Sequence, residues 1–115
     1  SRGFIGGSVM AYNLGCGFVP ARKPGKLPSV TIKKAYAKEY GVDTIELHSD
    51  AINENDVVLI HDDLLATGGT IRACYDLVCS MNPKKVYVNF VVELTALNGR
   101  EVLPEDCEVT SLLKY

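Results

Sequence analysis

The chain has 115 residues, of which 47% are hydrophobic and 23% charged, and its net charge is −2 at pH 7. This length suits one domain with a modest core, and no apolar run is long enough to span a membrane. Residues 1–38 hold seven Lys or Arg and no acid, which fits either a solvated basic face or contact with something anionic. The acidic total and the lack of a recognised nucleic-acid motif argue against a nucleic-acid partner.

The cysteines show no metal-binding or disulfide pattern. Cys16, Cys74, Cys79 and Cys107 form no CxxC pair and have no histidine beside them at zinc-site spacing. We interpret them as reduced thiols of a cytoplasmic protein, because a disulfide framework belongs to oxidising compartments.

The first half of the chain predicts a helix, a short strand, a loop and a hairpin. Residues 4–14 have apolar positions on a helical period, and Gly15 is a stop signal. Residues 16–20 predict a short apolar strand. Residues 21–48 combine a loop rich in proline, glycine and cations with two β-prone segments, which predict a hairpin that turns at residues 40–43.

The second half predicts an α/β unit. The apolar run at 57–60 is typical of a strand buried on both faces, as in a parallel sheet. A helical apolar stripe follows at 70–81, and further strands are predicted at 85–94 and 108–115. The strand–helix–strand spacing favours a parallel α/β sheet with a crossover connection.

Two adjacent carboxylates follow the first of these strands, in the stretch IHDDLLATGGT at 60–70. Ligands of open α/β sheets bind beyond the carboxyl ends of the strands, where Asp62 and Asp63 are expected. Two buried carboxylates repel each other unless hydroxyl donors or cations lie beside them. A ribose with two free hydroxyls, close to Mg²⁺, would provide both.

A glycine–threonine turn comes next and predicts an anion site. Gly68 and Gly69 can adopt positive φ and bring backbone N–H groups together, while Thr67 and Thr70 add hydroxyl donors and the following helix adds its positive end. The motif is neither a Walker A loop nor a Rossmann fingerprint. The alternative is an ordinary strand-to-helix turn with a threonine N-cap, but the order of acids, glycines and threonines favours a phosphate cradle beside a sugar.

The stretch VVLIHDDLLATGGT resembles the phosphoribosyl pyrophosphate (PRPP) motif of the type I phosphoribosyltransferases, in the form found in adenine phosphoribosyltransferases. The segments SRGF, GFVPARKPGKLP, AKEYG and VVELTALNGRE also resemble that family, in the family's order, so the resemblance covers essentially residues 1–115. It implies a mostly parallel sheet flanked by helices, with a projecting flexible loop and hairpin at 21–48. The chain would be the phosphoribosyltransferase core domain without the family's N-terminal segment.

The resemblance also implies an activity. The expected reaction transfers the 5-phosphoribosyl group of PRPP to adenine and gives AMP and pyrophosphate, as in purine salvage. Mg²⁺ would be bound mainly through PRPP, with no direct protein ligand, and the enzyme would be a homodimer with small-molecule substrates and neither nucleic-acid nor membrane partners.

Site residues are carried over position by position from the resemblance. Asp62 and Asp63 would hold the ribose hydroxyls, and Glu39 would exchange a proton with the purine. Tyr40 would close over the site, and Leu94 would pack against the adenine ring. The 5′-phosphate would be bound by Ala66, Thr67, Gly68, Gly69 and Thr70. Pyrophosphate would be bound by Arg2, Arg22, Lys23 and Lys26.

Several alternatives stay open. Glu39, judged by its lysine-rich surroundings alone, would be a surface ion-pair residue. His61 is interpreted as structural. The protein could use another purine base, be a non-catalytic PRPP-binding regulator of the same fold, or be a fragment that folds poorly alone because sheet edges are left exposed.

Overall fold

The computed structural model describes residues 3–22, 31–38 and 41–115, with the side chains of residues 3, 4, 31–38 and 41–44 excepted. The helices and strands are α1 (Gly3–Leu14), β1 (Thr31–Lys38), β2 (Gly41–His48), β3 (Val57–Leu65), α2 (Gly69–Ser80), β4 (Lys85–Glu93) and β5 (Glu108–Lys114). Two 3₁₀ turns, Thr95–Leu97 and Gly99–Val102, lie between β4 and β5.

The second half of the chain forms a parallel sheet in the order β3-β4-β5. Ile60 of β3 pairs with Val88 of β4, and Phe90 pairs with Ser111 of β5. β1 and β2 form a separate antiparallel hairpin. The predicted α/β class and the hairpin are thus confirmed.

Helices cover both faces of the sheet. α1 packs on β3, and Gly6 of α1 lies close to the ring of His61. Ile60 belongs instead to the core that contains Ile71 and Leu77 of α2. Because adjacent residues of a strand point to opposite faces, α1 and α2 lie on opposite sides of β3.

The core lies between α2, the sheet and the base of the hairpin. Its largest fully buried side chains are Phe90, Leu65 and Val88, and burying each stabilises the fold by about 1.5–3 kcal/mol. Ile45 and Leu47 of β2 belong to the same core, so the base of the hairpin packs against the domain.

α1 ends as the sequence predicts. Gly15 adopts φ +69°, and the N–H of Cys16 donates to the carbonyl of Ala11, five residues earlier, at 3.1 Å. This is the hydrogen bond of a Schellman cap that spans the larger number of residues. Within the described residues, no helix is both long and apolar enough to cross a membrane.

Three predicted boundaries were wrong. Residues 16–20 form no strand, because nothing in the described part of the chain pairs with them before the single bridge from Arg22 to Glu46. The hairpin turns between residues 38 and 41, since β2 already begins at Gly41. β3 continues past residue 60 to Leu65, which pairs with Glu93; charged side chains do not interrupt the backbone hydrogen bonds that define a strand.

Candidate functional site

Asp62 and Asp63 lie within β3, near its C-terminal end, rather than beyond it. Asp62 pairs with Phe90 of β4, and the backbone N–H of Asp63 donates to Oδ1 of Asp62 at 2.8 Å. Both side chains are half-buried. Burial raises the pKa of the Asp62 carboxyl from its ordinary 3.8, and the neighbouring Asp63 carboxyl adds to that rise. Hydroxyl donors or a cation bound beside the pair would favour its ionised form.

Residues 66–70, the anion loop, run from the end of β3 into the first turn of α2 and have the geometry of an anion site. Gly68 is the N-cap of α2 with φ 92°, a conformation that side chains disfavour. α2 begins at Gly69, which is helical, so only Gly68 of the predicted pair uses positive φ. No side chain among the described residues caps the first turn, so the threonine N-cap alternative is not what the structure contains. The N–H groups at the start of α2 can therefore bind an anion.

An open cleft of about 890 Å³ brings these groups together. It is lined by both aspartates, by the loop at 66–70 and by Arg22. Arg22 is held there by two backbone hydrogen bonds: its N–H donates to the carbonyl of Glu46 at 3.0 Å, and its carbonyl accepts from the N–H of Glu46 at 2.8 Å. One predicted cation therefore lines the same cleft as the two carboxylates and the anion loop.

Leu94 lies outside this cleft. Leu94 follows β4 directly, is half-buried, and donates its N–H to the carbonyl of Leu65 at 2.9 Å, but it does not line the cleft. The other five predicted residues lie outside the described residues and stay predictions: Arg2, Lys23, Lys26, Glu39 and Tyr40.

The sequence analysis did not single out the turn that supports the anion loop. Gly99 lies so close to it that an added Cβ would be 2.4 Å from the carbonyl oxygen of Ala66. The only local signal is the dipeptide Asn98–Gly99, which is typical of a turn; Asn98 adopts φ 53°. The contact itself joins residues more than thirty positions apart and leaves no local pattern.

Curated relatives of this chain are adenine phosphoribosyltransferases. The enzyme of Bacteroides thetaiotaomicron is 59% identical over 113 residues, which are 98% of this chain and 64% of that protein. The enzyme of Geotalea uraniireducens is 56% identical over 115 residues, which are 100% of this chain and 67% of that protein.

The chain belongs to the adenine phosphoribosyltransferase family. It spans slightly less than two thirds of the Bacteroides relative. No protein-family model matches the chain.

Solved structures of the family share the fold. The adenine phosphoribosyltransferase of Rhodothermus marinus superposes with a TM-score of 0.94 at 50% identity, over 100% of this chain and 65% of that one. The Saccharomyces cerevisiae enzyme, complexed with an imino-altritol bisphosphate and adenine, has a TM-score of 0.91 at 45% identity, over 97% of this chain and 62% of the yeast chain. The Trypanosoma brucei enzyme, in complex with AMP, pyrophosphate and ribose-5-phosphate, has a TM-score of 0.91 at 30% identity, over 99% and 53%.

Proposed function

We propose that the protein carrying this chain transfers the 5-phosphoribosyl group of PRPP to adenine, forming AMP and pyrophosphate in purine salvage. The observation that carries the proposal is one cleft lined by Asp62, Asp63 and the loop at 66–70. Family membership narrows the expected substrate from any sugar phosphate to PRPP. The yeast enzyme is complexed with adenine, and the trypanosome enzyme with AMP, pyrophosphate and ribose-5-phosphate.

The carboxylates bind the sugar of the phosphoribosyl group, and the loop binds its phosphate. Asp62 and Asp63 accept hydrogen bonds from the two ribose hydroxyls, which compensates the burial of their charge. The N–H groups at the start of α2 and the hydroxyls of Thr67 and Thr70 bind the 5′-phosphate. Holding the sugar at both ends fixes C1 relative to the incoming base.

Charge develops in two places as the glycosidic bond forms. The ribose carbon acquires oxocarbenium character, and the leaving pyrophosphate gains negative charge. Arg22 in the cleft, together with Arg2, Lys23 and Lys26 of the basic segment, stabilises that leaving group. Closure of the 21–48 segment over the cleft would exclude water from the reactive carbon.

Base recognition is assigned to Glu39, Tyr40 and Leu94. Glu39 exchanges a proton with the purine, Tyr40 covers it, and Leu94 packs against the ring. The assignment of Leu94 is supported by its backbone, because its N–H donates to the carbonyl of Leu65, the last residue before the loop at 66–70.

The donor set suits Mg²⁺ bound mainly through PRPP. The described residues contain no group of three or more metal-ligating side chains, only the carboxylate pair at the cleft. Mg²⁺ commonly keeps several waters and bridges substrate phosphates to one or two carboxylates. When bound, the ion would neutralise the pyrophosphate oxygens, and Asp62 and Asp63 would contact it through the ribose hydroxyls or water.

The assembly is proposed to be a cytoplasmic homodimer. The four cysteines are free thiols, which fits a reducing compartment. Ile5, Val9 and Tyr12 form an exposed row on α1, and an apolar row of this kind often marks an interface. Light scattering of the full-length protein should give the mass of two chains, and a Val9→Lys variant should shift it towards one.

The activity is tested by pyrophosphate release. The full-length protein, given PRPP, Mg²⁺ and one base at a time, should turn over adenine and leave hypoxanthine and guanine unreacted. Turnover of hypoxanthine but not adenine would assign another purine. PRPP binding without turnover of any base would identify a regulator instead of an enzyme.

A further inference from the structure

The anion loop and the 3₁₀ turn Gly99–Val102 are interlocked through two glycines. A Cβ on Gly68 would lie 2.7 Å from the carbonyl oxygen of Gly99 and 2.6 Å from Cγ2 of Val102. A Cβ on Gly99 would lie 2.4 Å from the carbonyl oxygen of Ala66 and 2.8 Å from Cδ1 of Leu65. Each backbone thus occupies the space of the other's missing side chain, so the loop cannot keep its shape if the turn moves.

Arg100 fastens this turn to the sheet. Its Nε lies 2.9 and 2.8 Å from the two carboxylate oxygens of Glu93, at the end of β4. Its two terminal nitrogens donate to the carbonyl of Val109 at 2.9 Å and to Oγ of Ser111 at 3.2 Å, both on β5. Ser111 also donates to Glu93 at 2.7 Å. One guanidinium therefore joins the turn to two neighbouring strands.

The surroundings make this anchor rigid. Glu93 is only 5% exposed, and Arg100 holds the pKa of its carboxyl below the ordinary value. On the far side of the turn, Arg72 of α2 donates to the carbonyl of Val102 at 2.6 Å. The turn is thus fixed to the sheet at one end and to the helix that follows the anion loop at the other.

We propose that Arg100 is a positioning residue for the 5′-phosphate: by fastening Gly99–Val102 to β4 and β5, it holds the loop at 66–70 in its anion-binding conformation. Arg100 does not touch the phosphate itself. The inference rests on the proposed function, because it assumes that the loop binds the phosphate of a phosphoribosyl group.

The test compares Arg100→Lys with Glu101→Gln in the full-length protein. Lysine keeps the charge but cannot match the forked contacts of arginine, and Glu101 is the exposed neighbour on the same turn. Arg100→Lys should raise the Kd for ribose 5-phosphate, measured by calorimetry, about tenfold, since small displacements of a binding group are costly. It should raise KM for PRPP and leave KM for adenine unchanged. Glu101→Gln should change none of these.

A purely structural role is separated by a stability-matched variant. Val88→Ala opens a cavity in the core without removing any hydrogen-bond partner of Arg100, and should lower the melting temperature without changing the ribose 5-phosphate Kd. Gly99→Ala displaces the loop directly, because the added Cβ would collide with the carbonyl oxygen of Ala66. It should also raise the ribose 5-phosphate Kd. Combining it with Arg100→Lys should raise the Kd less than the product of the two single effects, because both act through one displacement.

The failures are distinguishable. If the unaltered protein binds no ribose 5-phosphate, the proposed function fails and this inference fails with it. If the unaltered protein binds and Arg100→Lys binds equally well, this inference alone is overturned. It is also overturned if the Kd of Arg100→Lys changes only as much as that of Val88→Ala at equal loss of stability. Should Arg100→Lys not fold, the same criteria applied to Gly99→Ala decide the matter.

Discussion

Nδ1 of His61 lies 2.8 Å from Oδ1 of Asn89, and Nδ2 of Asn89 donates to Oγ1 of Thr110 at 2.9 Å. These three residues pair with one another in the register of β3, β4 and β5, so a polar row crosses the sheet directly before the carboxylates. Because the amide nitrogen of Asn89 donates to Thr110, its oxygen is left to face Nδ1 of His61. This row supports the interpretation of His61 as structural.

The polar row predicts a stability effect without a binding effect. Asn89→Ala removes both hydrogen bonds and should lower the free energy of unfolding by about 1–3 kcal/mol. Thr110→Val removes one bond and should cost less. Urea unfolding measures the stabilities, and the ribose 5-phosphate Kd should match the unaltered protein in both variants. A loss of affinity in Asn89→Ala would give the row a part in the site.

Gly68 is predicted to be irreplaceable. Gly68→Ala puts a Cβ on a residue with φ 92° and into contact with Gly99 and Val102, so it should destabilise the protein by about 1–3 kcal/mol. Gly69→Ala, at a helical position, should leave stability unchanged or slightly higher. Thermal unfolding of the two variants compares them directly, and equal melting temperatures would contradict the conformation described for Gly68.

The ionised Asp62 carboxylate is predicted to lower the stability of the ligand-free protein and to strengthen the binding of ribose 5-phosphate. A raised carboxyl pKa means that the folded state binds this proton more tightly than the unfolded chain. Stability is therefore lost as pH rises from 3.8 through the folded pKa. Asp62→Asn should raise the melting temperature of the ligand-free protein at pH 7 by about 2–4 °C and weaken ribose 5-phosphate binding by about tenfold or more.

Two checks accompany the Asp62 experiment. The gain in melting temperature should shrink as pH falls through the folded pKa towards 3.8, and it should be absent below 3.8, where aspartic acid and asparagine are both neutral. Asp106→Asn, at an exposed position, should change neither stability nor affinity. A melting temperature of Asp62→Asn that is lower at pH 7 would show that this carboxylate stabilises the ligand-free fold.

Glu93 is predicted to have the opposite pH dependence. The hydrogen bond from Arg100 lowers its pKa from the ordinary 4.5, so the ionised carboxylate stabilises the fold fully above pH 4.5, and this contribution is lost as pH falls through the folded pKa. Glu93→Gln should cost about 1.5–3 kcal/mol at pH 7, as for a hydrogen bond to a charged group. Urea unfolding from pH 7 downward should show the difference disappear in acid, while a constant difference would exclude this linkage.

The sequence was informative where a local pattern has one physical cause. The helical period of 4–14 and the glycine after it predicted α1, and the apolar run at 57–60 predicted a strand of a parallel sheet. The expectation that this run is buried on both faces was wrong, because Val57 and Leu59 are exposed. It was less reliable at boundaries. Residues 16–20 have the composition of a strand, but a strand needs a partner, and no pattern within five residues reveals whether one exists.

By itself, the sequence determined which functional groups the site contains: two carboxylates before a glycine–threonine turn, in the order proposed for binding a ribose and its phosphate. Tertiary structure decided which groups meet. It brought Arg22 to the cleft through the backbone of Glu46, and it set Gly99 and Arg100 behind the anion loop. The physical reason is that acids, glycines and hydroxyls act through their own functional groups, which the sequence states directly. Support across more than thirty residues depends on backbone packing that only the folded chain creates.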